Sequence, residues 1–168
     1  MPQIYNGAQR QEPFHIIITQ DDAKKIVAAT EWPKQYDGIE LSAPMVFFAP
    51  GKIILMSAAE VKGMDVIITV VAEPVIDQQG FLNLQVAKVK IGALNITPLA
   101  RMIARRMYEQ TIGFADINPD DLGVRVAASL FNNQPFDPLF QLEDKKIRLK
   151  EINIEPGKLI LHLSPASD

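Results

Sequence analysis

The sequence contains no cysteine in 168 residues. That removes thiol nucleophiles, disulfide staples, zinc fingers and iron–sulfur ligation. Only two histidines are present. They are His15 and His162, and neither sits in a metal-ligand spacing motif. There is no phosphate loop, no glycine-rich dinucleotide fingerprint and no nucleophile elbow. No apolar run approaches the roughly 20 residues needed to span a bilayer as a helix; stretches such as 66–72 are far shorter. A basic excess is also lacking, since 17 Lys and Arg face 20 Asp and Glu for a net charge of -3. Nucleic-acid binding wants the opposite balance. These absences point away from an enzyme, a cofactor, a metal centre and a nucleic-acid partner.

What is present is apolar residue, at 48% of the chain. A chain of this length buries roughly 70% of its unfolded surface without any covalent staple. Residues 1–13 are polar and aperiodic and read as a flexible N-terminal segment, with no signal peptide visible. Residues 14–168 read as a single α+β domain. Thr19 is a candidate N-cap with Asp21 and Asp22 in the first helical turn. Ala23, Ile26, Val27 and Thr30 share one face of that helix, and Pro33 stops it. Thr97-Pro98 opens a second helix over 97–112. Asp120-Asp121 precedes a third, with Leu122, Val126, Ala127, Leu130 and Phe131 as its apolar arc and Arg125, Ser129 and Asn132 as its polar arc.

The rest reads as strand: 39–49, 52–61, 64–76, 81–91, 146–154 and 158–163. Pro50-Gly51 and Pro156-Gly157 are type II turn dipeptides, in which glycine accepts the positive φ. Each is followed by a lysine and an aliphatic run, so Pro50–Leu55 and Pro156–Leu161 are nearly the same hexapeptide. In 81–91 the apolar parity flips between Val86 and Lys88. In 146–154 it flips between Leu149 and Ile152. Strict alternation cannot do this, so a β-bulge is expected at each place. Strands of 11 to 13 residues are about twice the usual length and twist strongly. The expected architecture is therefore a long, curved antiparallel sheet that curls around a helix, with two or three helices in all.

Strand 64–76 is apolar at both parities, which predicts two dry faces. One belongs to the core; the other needs a second layer, a partner chain or a ligand. Phe47, Met56, Ile68, Val70, Phe81, Met102, Met107 and Phe131 are candidates to line an apolar ligand site. Arg106 falls inside the apolar arc of helix 97–112 and is a candidate for an anionic head group.

A layout resemblance adds to this. It is carried by Ile18-Thr19-Gln20-Asp21-Asp22 before a meander and by Phe48 leading into Pro50-Gly51-Lys52. Phe81-Leu82-Asn83-Leu84, Ile91-Gly92-Ala93-Leu94 before a Pro-started helix, and the closing Ile154-Glu155-Pro156-Gly157-Lys158-Leu159 complete it. The arrangement over roughly residues 15–163 resembles membrane-anchored extracytoplasmic bacterial proteins that look like single-module relatives of the tubular lipid-binding (TULIP) superfamily. The resemblance implies a highly curved sheet wrapped around a helix and non-catalytic binding of lipid or another hydrophobic ligand. It also implies a place at or outside the cell membrane, with the membrane surface as a partner and the anchor not part of this sequence. The competing expectation is a structural or interaction protein whose apolar sheet face packs against a partner chain, a homodimer included.

Overall fold

The computed structural model describes residues 12–36, 39–61, 63–102, 122–142 and 145–166. In chain order these form β1 (Phe14–Thr19), α1 (Gln20–Ala28), β2 (Lys34–Tyr36), β3 (Ile39–Leu41), β4 (Met45–Ala49), β5 (Lys52–Val61), β6 (Met64–Ile76), β7 (Leu82–Ile91) and β8 (Leu94–Asn95). A helical segment α2 over 97–102 follows. Then come α3 (Leu122–Asn132), β9 (Leu139–Leu142), β10 (Lys145–Glu155) and β11 (Lys158–Pro165).

Local chemistry explains several boundaries. The Thr19 hydroxyl accepts from the Asp22 N–H at 3.2 Å, and the Asp22 carboxylate accepts from the Thr19 N–H at 3.0 Å. This capping box satisfies two of the four orphan donors of α1. The hydrogen bonds from the Thr19 side chain and then its backbone hold the Asp22 carboxyl below its ordinary value. Ala23 is buried under α1, Val27 is half-buried and Ile26 is exposed, so the apolar stripe is narrower than its spacing predicts. Ala49 and Lys52 are paired across the Pro50-Gly51 turn, and Gly51 has the expected positive φ of 70°.

The strands do not form one sheet wrapped around a helix. They fall into two antiparallel sheets. One has seven strands in the order β2-β3-β5-β6-β7-β8, with β4 pairing β5; the other has four, in the order β1-β11-β10-β9. Each runs from one edge strand to another and is neither curled nor closed. This corrects the expectation of a single long, highly curved sheet, and with it the TULIP-like, lipid-binding character that depended on such a wrap. The physical reason is the partner chosen by the C-terminal hairpin. It pairs with β1, from Phe14↔Leu163 to Thr19↔Lys158, instead of extending the meander. The α+β class and the antiparallel pairing stand.

The apolar faces of the two sheets meet. Leu82, Phe136, Ile147, Leu149 and Leu163 are the buried centre of one cluster, with Phe14, Ile16, Ile76, Leu84 and Val126 against it. Ala23, Phe48 and Ile154 centre a second, flanked by Ile18, Val46, Ile53 and Leu159. Burying an aliphatic or aromatic side chain of this size contributes about 1.5–3 kcal/mol. A second sheet thus occupies the position in which the sequence predicts a wrapped helix.

The two near-identical hexapeptides meet as well. The Gly51 N–H donates to the Ile154 carbonyl at 3.0 Å, and the Gly157 N–H donates to the Phe48 carbonyl at 3.1 Å. Each turn glycine therefore bonds the residue three before the other's glycine, a local two-fold relation between the hairpins. The Gly157 carbonyl in turn accepts from the Gln20 N–H at 2.9 Å. The Gln20 amide covers the neighbouring edge of β4: its nitrogen donates to the Val46 carbonyl, and its oxygen accepts from the Phe48 N–H.

Both expected bulges are present. Val71 pairs Lys88 but Ala72 pairs Val86, which leaves Ala87 extra. Leu149 pairs Leu163 while Glu151 pairs His162, which leaves Lys150 extra. The far edge of β7 is capped along its length. Leu82 exchanges backbone bonds with Phe136, the Leu84 N–H donates to the Ser129 hydroxyl at 2.7 Å, and Arg101 donates to the Val86 carbonyl at 2.8 Å. The Thr97 hydroxyl accepts from the Val89 N–H at 2.8 Å. An uncovered strand edge is a template for aggregation, and here hydroxyl, guanidinium and amide groups occupy it in turn.

Candidate functional site

Register assigns every strand residue to a face. On the inner face of the seven-stranded sheet, Ile53, Leu55, Ser57 and Ala59 of β5 pair with Ala72, Val70, Ile68 and Val66 of β6. On the outer face, Ile54 lies between Phe47 and Val71, Met56 between Met45 and Thr69, and Ala58 beside Ile67. The outer face is therefore a continuous apolar area across β4, β5 and β6. It stays open to solvent: Met45 is 57% exposed, Phe47 39% and Ile67 44%. The two dry faces expected of 64–76 are thus different in kind, one packed and one uncovered.

Charge frames the outer face. At one end Glu60 lies between Glu40 and Asp65. At the other, Lys52 pairs with Glu73 at 3.1 Å. Lys88 and Lys90, opposite Val71 and Thr69, form the flank along β7.

The residues expected to line one ligand site are not brought together. Phe47 and Met56 are on the outer face, whereas Ile68 and Val70 are half-buried on the inner one. Phe81 is exposed just before β7, and Met102 is exposed at the end of the described part of α2. Arg106 and Met107 lie outside the described residues, as does the Phe131 side chain.

Sequence reasoning missed the work of α3. Its supposed polar arc faces protein. Ser129 is fully buried; its hydroxyl accepts from Leu84 and donates to the Asn83 side-chain oxygen at 3.3 Å. Arg125 donates to the carbonyls of Asp137 at 3.1 Å and Leu139 at 3.4 Å, with its guanidinium 5.8 Å from the Phe136 ring centre. Asp137 is also ion-paired to Arg148 at 2.9 Å. These groups tie α3 and the chain after it to the sheets. The signal available in the sequence was the pair Arg125 and Ser129, spaced i, i+4 on one helical face.

The outer face of the four-stranded sheet carries both histidines. His15 and His162 are direct cross-strand partners with ring centres 6.1 Å apart. Among the described residues, no group of three or more His, Asp or Glu side chains is arranged to hold a metal ion. No described helix is long and apolar enough to cross a membrane. No family model matches the chain, and no curated protein sequence matches it.

Proposed function

We propose that this chain is an interaction module that pairs with a second copy of itself through the outer face of the seven-stranded sheet. The observation that carries the reading is the composition of β5 on that face. Lys52, Ile54, Met56, Ala58 and Glu60 follow one another at every second residue. A two-fold axis through Met56 sets methionine on methionine, the large Ile54 on the small Ala58, and Lys52 on Glu60. The strand is complementary to itself in both size and charge. Two such faces stack as aligned sheets, whose mutual twist of about 30° splays the corners. That twist carries the Lys88 and Lys90 flanks away from each other.

The area sets the strength. Three columns of strand at about 4.8 Å spacing, over eight residues at about 3.4 Å each, give roughly 400 Å² per copy. A total of roughly 800 Å² belongs to the weak, reversible class of interface. The pairing is therefore concentration-dependent.

Sedimentation velocity across a concentration series tests this. The wild-type chain shifts from monomer to dimer as concentration rises. Lys52→Glu alone sets carboxylate against carboxylate at both symmetry-related contacts with Glu60, and that variant stays monomeric. Glu60→Lys alone stays monomeric for the mirror reason, with ammonium against ammonium. A mixture of the two variants forms a heterodimer, because both of its contacts join opposite charges while the self-paired forms of each variant are repelled at both.

 

The Lys52→Glu chain presents carboxylates at positions 52 and 60, and the Glu60→Lys chain presents ammonium groups at both. Each of the two contacts is therefore an opposite-charge pair. A wild-type chain that stays monomeric, or a mixture that fails to associate, refutes the reading.

A further inference from the structure

The only two histidines of the chain, far apart in sequence, face each other across adjacent strands. We propose that His15 and His162 form a two-histidine chelating site for a divalent transition-metal ion of the zinc, nickel and copper class, on the outer face of the four-stranded sheet.

The geometry suits a chelate. A metal ion about 2.0–2.1 Å from one nitrogen of each imidazole lies roughly 3.2 Å from each ring centre. At a tetrahedral angle the two centres are then about 5.2 Å apart, and at a linear angle about 6.4 Å. The observed separation of 6.1 Å lies inside that window, with the rings tilted by 41°. A small rotation of two side chains aims a nitrogen from each at one point. His15 is exposed and His162 half-exposed, so the rings are free to turn and an ion can reach them from solvent.

The neighbouring charges are of both signs, the bulge residue Lys150 standing next to Glu151 in β10. Glu151 is the cross-strand partner of His162 on the side away from His15. The three side chains therefore form a row, His15, His162, Glu151, with the carboxylate offering negative charge beside the pair. Next along the face come Ile17, Ile160 and Asn153 on one side and Ser164 with Arg148 on the other. The Arg148 charge is engaged by Asp137. Beyond Ile17 and Ile160, Lys158 is paired with Glu155 at 2.9 Å. Two nitrogens from a rigid pair of strands fix two positions on the ion, and water fills the others. Imidazole, a ligand of intermediate softness, selects zinc, nickel and copper over calcium and magnesium.

Isothermal titration of the full chain with zinc chloride and with nickel chloride tests the site. The expected result is one ion per chain at neutral pH, weakening as the solution is acidified because protons compete for the same nitrogens. His15→Ala and His162→Ala each lower the affinity at least tenfold. Magnesium chloride gives no binding. In an NMR titration, paramagnetic nickel broadens signals of β1 and β11 around residues 15 and 162 before any others. Absence of zinc and nickel binding, affinity unchanged in either variant, or broadening centred elsewhere overturns the proposal. Both residues lie on the open face of the sheet, so folding of the variants is checked directly by their unchanged circular dichroism.

Discussion

Replacing Ser129 with alanine isolates what α3 contributes. The side chain is fully buried, and its hydroxyl makes two bonds to the edge of β7: 2.7 Å from the Leu84 N–H and 3.3 Å to the Asn83 side-chain oxygen. Alanine removes one oxygen and opens almost no cavity. The cost is thus the polar term. An N–H left without an acceptor in a water-excluded site costs about 1–3 kcal/mol, and the longer second bond adds about 0.5 kcal/mol. A loss of about 2 kcal/mol is expected. At about 2–4 °C per kcal/mol for a chain of this size, the melting temperature falls by about 4–8 °C. Urea unfolding monitored by circular dichroism measures it, with an unchanged slope showing that only stability moved. Ser57→Ala is the comparison. That hydroxyl donates to the Ser42 carbonyl at 2.7 Å in an exposed setting, where water replaces it and the loss stays within about 0.5 kcal/mol. Equal losses for Ser129→Ala and Ser57→Ala would refute the claim that burial of the β7 edge sets the cost.

The turn glycines give a second test. Gly157 has a φ of 78° and open space where a Cβ would project, so Gly157→Ala costs about 1–2 kcal/mol from backbone conformation alone. Gly157→Asn costs less, because asparagine tolerates the left-handed region; thermal melts that rank the two the other way would refute this. A third concerns acid. The folded-state pKa of Asp22 is lowered by its bonds from Thr19, so its stabilising effect is complete above the ordinary carboxyl value of 3.8 and is lost as pH falls through the lowered folded value. Thr19→Val removes the side-chain bond and should flatten that part of the stability–pH curve between the two values.

Local chemistry was the legible part of this fold. Strands β5 and β6 run over the residues that their apolar patterning marks out, and the bulges at Ala87 and Lys150 lie where parity flips. Both Pro-Gly turns form for the reason their composition suggests. The segment 39–49 breaks at 42–44 because Pro44 has no N–H to give the ladder. β1 reads in the sequence only as an apolar run: Phe14 to Thr19 alternate in burial, but three consecutive isoleucines hide the period. Which strand pairs with which was not legible, because it depends on partners at opposite ends of the sequence. The same gap scattered the candidate site residues. Phe47 and Met56 part company with Ile68 and Val70 only once the register of β4, β5 and β6 is known. Arg125 and Ser129 misled because a helix face is polar either toward water or toward an unpaired strand edge, and α3 does the latter.

The pairing of β1 with β11 carries a consequence for the order of assembly. Nearly all of the described chain is made between these two strands. Until the last hairpin arrives, β1 has no ladder partner, and the carbonyl of Phe48 has no Gly157 to accept from. The seven-stranded sheet can zip up strand by strand from neighbours in sequence. The four-stranded sheet must wait, then close both itself and the core in one long-range step. Contacts of that span are slow to form, so the docking of the final hairpin on β1 is the step expected to limit the rate of folding.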